Sequence, residues 1–138
     1  MKKVIRKFIL LDIADELYAM PLVKKGKFVD YKQVNILPLP QVSKKIKGLI
    51  YLEGKIVTVI NTAQILGLSG GQHNLIFLFE FDNHHYGLTV QASGEIIKTN
   101  KILLNRKRKE FKKYIKVKKK NIYILGLEDI FDKISHGL

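Results

Sequence analysis

His84 and His85 stand side by side in DNHHY with Asp82 close by, the nearest this sequence comes to a metal-binding set. Imidazole nitrogens hold a zinc-like ion only when they converge on one point. Neighbouring residues of a strand project to opposite faces, so this pair is badly placed to share one ion and no metal site is expected. Cysteine is absent, which removes thiolate ligands, disulfides and a cysteine nucleophile. Sequence spacing shows no pair of carboxylates set for acid–base work. Asp15 and Glu16 belong to a turn, Asp12 and Asp30 stand alone, and Glu128 with Asp129 would complement a helix dipole. The serines lack the strand-to-helix context of a nucleophile elbow, and LSGGQHN is not followed by the Gly-Lys-Ser/Thr of a phosphate-binding loop. The chain reads as non-enzymatic and without a cofactor.

Charge is the other chemical feature. The formal net charge is +13, and most of the excess lies in one stretch. Lys101, Arg106, Lys107, Arg108, Lys109, Lys112, Lys113, Lys116, Lys118, Lys119 and Lys120 face the single acid Glu110. Phe111, Tyr114 and Tyr123 lie among or beside them, and a basic groove with stacking aromatics is how single-stranded nucleic acid is held. Three readings stay open: a basic nucleic-acid-binding barrel, a landing strip for acidic protein, or a solvated loop that Tyr114 and Ile115 anchor while the lysines face water.

These side chains need a scaffold. With 138 residues, 46% of them hydrophobic, the chain is one domain that buries roughly two thirds of its extended surface. MKKVIRKFILL imitates the start of a signal peptide, but Asp12, Asp15 and Glu16 interrupt it, so it is expected to be the first strand of a cytoplasmic protein. No apolar run approaches the roughly 18–20 residues needed to cross a bilayer, and no membrane insertion is expected.

FILLDIADELYAMPLV reads as a hairpin around a three-residue loop, Ala14-Asp15-Glu16. KKGKFVDYKQVNILPLP, broken by Gly26, Pro38 and Pro40, reads as a connecting or edge region. GLIYL and KIVTVI form a second hairpin through Glu53-Gly54, for which a type I turn closing in a glycine bulge is expected. Both strands are apolar on both faces, as in strands buried in a small barrel. Asn61 or Thr62 caps a short helical turn that ends at Gly67. After the loop 68–74, which divides the chain into halves 1–70 and 71–138, NLIFLFEFDNHHYGLTV repeats strand, turn and strand. SGEIIKTNKILL stays extended, NIYILGL is a last strand, and 128–134 has the spacing of a short C-terminal helix. About nine short strands and two helical turns make a mainly β, barrel-type architecture.

The stretch from Gly48 to Asn61, GLIYLEGKIVTVIN, followed by a turn ending in Leu66-Gly67, resembles the G-x-x-N-L-R-G-x-I-x-P-V-x-D-L signature of CheW-like domains, the adaptors of bacterial chemotaxis arrays. FILLDIADELYAMPL is similar to that family's opening hairpin, YGLTVQASGEII to its V-G-L-x-V-D-x-V-x-E-V segment, and IYILGLEDIF to its closing strand and helix. The resemblance implies two small five-stranded SH3-like barrels packed together. It implies a non-catalytic adaptor that holds the regulatory domain of a chemotaxis histidine kinase and contacts the tip of a coiled-coil receptor. Contact positions carried over from it are Lys27, Phe28 and Glu53 in the first half, with Leu88 and Val90 contributing to a receptor groove.

The departures are informative. Glu53 stands where the family has Arg, and Lys27 where it has Glu, so Lys27 and Glu53 are expected to be neighbours whose charges have exchanged. Asn61 and Gln91 replace Asp, Thr58 replaces Pro, and Gly126 stands where Asp is common. A surface changed in this way favours a dedicated partner with a complementary acidic face.

Overall fold

A computed structural model describes residues 4–22, 26–39 and 44–135; Pro40 lies outside them. Among the described residues, eleven strands form two sheets. The strands are β1 (Arg6–Ile13), β2 (Glu16–Pro21), β3 (Lys27–Asp30), β4 (Ile46–Leu52), β5 (Lys55–Ile60), β6 (Leu75–Phe81), β7 (His84–Val90), β8 (Ala92–Thr99), β9 (Leu103–Leu104), β10 (Lys113–Val117) and β11 (Lys120–Ile124). Two helices, α1 (Thr62–Ile65) and α2 (Leu127–Ser135), complete the set with a 3₁₀ turn at Tyr31–Gln33. The expected mainly β architecture holds. One sheet has the order β3-β6-β7-β5-β4, and the other β8-β1-β2-β11-β10-β9, where the two-residue β9 makes a sixth strand. Each sheet contains one parallel pairing, β5 with β7 and β11 with β2.

The loop 68–74 does not separate these sheets. β1 and β2 belong with β8 to β11, whereas β3, β4 and β5 pair with β6 and β7 from beyond the loop. The division into halves at residue 70 is corrected accordingly: the chain leaves the first sheet after β2 and returns to it at β8.

β1 and β6 are apolar on both faces because each face meets a different core. Along β1, Phe8 and Leu10 join Ala19, Ile115, Ile122 and Ile124 inside the six-stranded sheet, while Ile9, Leu11 and Ile13 turn to a cluster between the sheets. β6 divides likewise: Ile76 and Leu78 pack with Ile50, Val57 and Val59 inside the five-stranded sheet, and Phe77 and Phe79 enter the shared cluster. Ile65 of α1 and Ile130 of α2 close that cluster. A buried side chain of this size contributes about 1.5–3 kcal/mol relative to exposure, so these alternating positions decide the register.

Turn chemistry departs from expectation at two hairpins. β1 and β2 are joined by two residues, Ala14 (φ 51°) and Asp15 (φ 68°), and Glu16 already pairs with Ile13. β4 and β5 are joined by Glu53 (φ 52°) and Gly54 (φ 77°), with Leu52 opposite Lys55. Positive φ at both turn residues is the type I′ geometry, whose twist matches the strands, rather than a type I turn with a bulge. Asn61 rather than Thr62 caps α1, its side chain accepting from the Gln64 N–H. Gly48 is needed for close approach: Leu37 and Leu49 exchange backbone hydrogen bonds of 2.8 and 2.9 Å, and a Cβ on Gly48 would collide with the Leu37 carbonyl. Pro38 lies beside that bridge and outside every strand, as an edge region requires. No helix among the described residues is long and apolar enough to cross a membrane.

Candidate functional site

β3 is an edge strand, and its four residues KFVD set out the first surface. Phe28 lies opposite Phe77, with the ring centroids 5.0 Å apart, which roots that side of the strand in the core. Alternation turns Lys27 the other way, toward the β4–β5 turn. There its Nζ donates to Glu53 Oε1 at 3.0 Å, so the expected neighbours do meet. Lys27's hydrogen bond, followed by its charge, holds the Glu53 carboxyl below its usual range. Behind the pair lies a groove of about 330 Å³ with Leu52, Val57 and Leu78 among its walls and His85 and Tyr86 beyond them. Burial, and then the charge of Asp82, push the Tyr86 hydroxyl upward. His85 stands across from Glu80, whereas the His84 ring meets Tyr86 edge-on, with centroids 6.5 Å apart.

Leu88 and Val90 require correction as contact residues. They are 0% and 1% exposed and belong to the cluster between the sheets. Both are core residues and present nothing to a partner.

An exposed apolar surface lies instead on the hairpin of β4 and β5. Tyr51 and Ile56 sit directly opposite each other and are 75% and 63% exposed, and Leu37 beside them is 64% exposed. With Val34 and Leu49 they border a groove of about 570 Å³. The inward alternates Ile50 and Val57 are buried. The apolar pattern of GLIYL and KIVTVI predicts an interior position for both faces, whereas one face is open to solvent. The signal that marks the open face is that Tyr51 and Ile56 face each other on the side away from Ile50 and Val57.

The basic stretch is folded rather than loose. It contains β9 and β10, neither of which the apolar pattern revealed as a separate paired strand. Phe111 is buried between the sheets at φ 49°, an uncommon conformation for a bulky residue, and Ile115 is buried in the six-stranded sheet's core. The Arg108 guanidinium lies 3.7 Å above the Tyr123 ring, whose hydroxyl accepts from Asn105 at 2.8 Å. Tyr114 packs on the same ring at 5.4 Å. Glu110 pairs with Lys133 of α2 at 2.7 Å. The aromatics expected to stack on bases are thus engaged inside the chain. Arg106, Lys107, Lys109, Lys112, Lys113, Lys116, Lys118, Lys119 and Lys120 are exposed around this anchored frame. Among the described residues, no group of three His, Cys, Asp or Glu side chains converges as a metal site would need.

A family model described as a CheW-like domain matches residues 7–135. The structure is similar to the scaffolding protein TtCheW from Thermoanaerobacter tengcongensis, with a TM-score of 0.79, 26% sequence identity and 94% of each chain covered. A sequence comparison with curated proteins returned no match.

Proposed function

The chain belongs to the CheW-like domain family, and on that premise we propose that it is a non-catalytic chemotaxis adaptor, coupling the tip of a receptor to the regulatory domain of a histidine kinase in the cytoplasm. The observation that carries this reading is the exposed apolar wall of Tyr51, Ile56 and Leu37. Large apolar groups grouped on an outer strand face mark a protein contact, and aromatic residues are frequent anchors of such contacts. The Lys27–Glu53 groove adds specificity. Since both charges are reversed against the family pattern, a partner suited to the usual arrangement meets repulsion here, and a dedicated partner carries the complementary signs.

Co-purification of the full chain with the chemotaxis kinase and receptor of its own cell tests this. The wild-type chain is expected to retain both proteins. A Tyr51→Ser, Ile56→Ser double variant is expected to lose at least one while unfolding at an unchanged denaturant midpoint. Recovery of neither protein by the wild-type chain would overturn the proposal.

A further inference from the structure

We propose that the groove between the start of β1, the 109–113 segment and the start of α2 receives an acidic, amphipathic segment of a partner protein. This surface is distinct from the β4–β5 wall, so its test does not depend on the adaptor reading. The groove encloses about 970 Å³, at the upper end of the roughly 300–1,000 Å³ usual for ligand sites and roomy enough for several side chains. Leu22 and Leu104 line it at 40% and 49% exposure, and with Ile102 and Leu127 they give the groove an apolar wall open to solvent. Arg6, Lys7, Lys112 and Lys113 rim it, all exposed and none paired with a carboxylate among the described residues. The acids at its margin have other engagements: Glu110 is held by Lys133 at 2.7 Å, and Glu128 and Asp129 occupy the first turn of α2, where the helix dipole favours them.

Apolar walls beneath a cationic rim fit a chain segment that offers leucine-like anchors one helical turn apart with acids on its flanks. A nucleic acid fits poorly. Its bases need free aromatic faces, yet Phe111 is buried and Tyr123 is covered by Arg108, and phosphate or sugar would leave Leu22 and Leu104 uncovered.

The test is a titration of the isotopically labelled full chain with three probes. The first is a helical peptide of about twelve residues with leucines at i, i+4 and glutamates elsewhere. The second has the same charge with serine for leucine. The third is oligothymidine of similar length. The leucine peptide is expected to bind and to move amide signals at residues 6–7, 22, 104 and 109–113, and K112E combined with K113E should weaken it by about tenfold or more. L104S, or L22S should the first variant fold poorly, weakens it without altering its salt dependence. Equal binding of the serine peptide would reduce the surface to charge alone and overturn the proposal. So would displacement of the peptide by oligothymidine, signal changes confined to other residues, or no binding of the leucine peptide.

Discussion

Lys27 and Glu53, twenty-six residues apart in sequence, join their side-chain tips at 3.0 Å across the mouth of a groove. The resemblance to CheW-like domains implies that acid and base stand the other way round at these positions in the family. Either change alone would place like charges together, whereas the two together keep the contact. Both side chains are largely exposed, at 49% and 67%, so the pair does little for stability and its consequence lies in what a partner meets. Lys27→Glu or Glu53→Lys alone is expected to weaken partner binding by about tenfold, and the double exchange, which restores the family arrangement, to recover the pair but not the affinity of a dedicated partner. Calorimetric titration of all four chains measures this, with melting temperatures nearly unchanged throughout.

The same contact sets a pH dependence. The Glu53 carboxyl titrates below its usual range because Lys27 donates to it and lies beside it as a positive charge. A carboxylate lowered in the folded state contributes its stabilisation fully above its unfolded value and loses it as pH falls through the folded one. An NMR titration should therefore find Glu53 still ionised at the pH where a glutamate in a short unstructured peptide is half protonated, and Lys27→Ala should move Glu53 upward toward the ordinary value. A midpoint indifferent to Lys27 would show that the contact does not persist in solution.

Leu88→Ala separates core from contact. Leu88 is fully buried between the sheets, so the substitution should cost about 2–5 kcal/mol in a denaturant titration. Under conditions where the variant remains folded, partner affinity should match the wild type, because the side chain reaches no surface.

What the sequence disclosed follows from how locally each feature is specified. The cap at Asn61, the turns at Glu53-Gly54 and Asp82-Asn83, and the helix near 128–134 depend on residues within a few positions of one another. Their places were therefore legible, although turn type and loop length were not, because residues such as Ala14 and Glu53 take positive φ only when strand twist demands it. The burial of a strand face is a tertiary fact. YGLTV and KIVTVI are equally apolar, yet Leu88 closes the cluster between the sheets while Ile56 faces outward. The Lys27–Glu53 contact was visible only through comparison with a family pattern, since nothing local connects the two. β10 was concealed because its outward lysines mask the alternation around Ile115.

The β10–β11 turn supplies a further prediction. Lys118 and Lys119 occupy it at φ 48° and 68°, a conformation in which lysine is disfavoured and Asn-Gly is preferred. Lys118→Asn with Lys119→Gly fits the turn without moving Val117 or Lys120, which pair across it. Unfolding should become harder by about 1 kcal/mol, the relief of left-handed strain being partly offset by the greater freedom of glycine in the unfolded chain. Removing two positive charges at the tip also reduces self-repulsion within the basic surface, which acts in the same direction. Neither residue lines the groove proposed to take an acidic segment, so affinity for the leucine–glutamate peptide should fall only slightly, and less at higher salt. A large loss of peptide affinity would place the acidic segment at the hairpin tip instead of between β1 and α2.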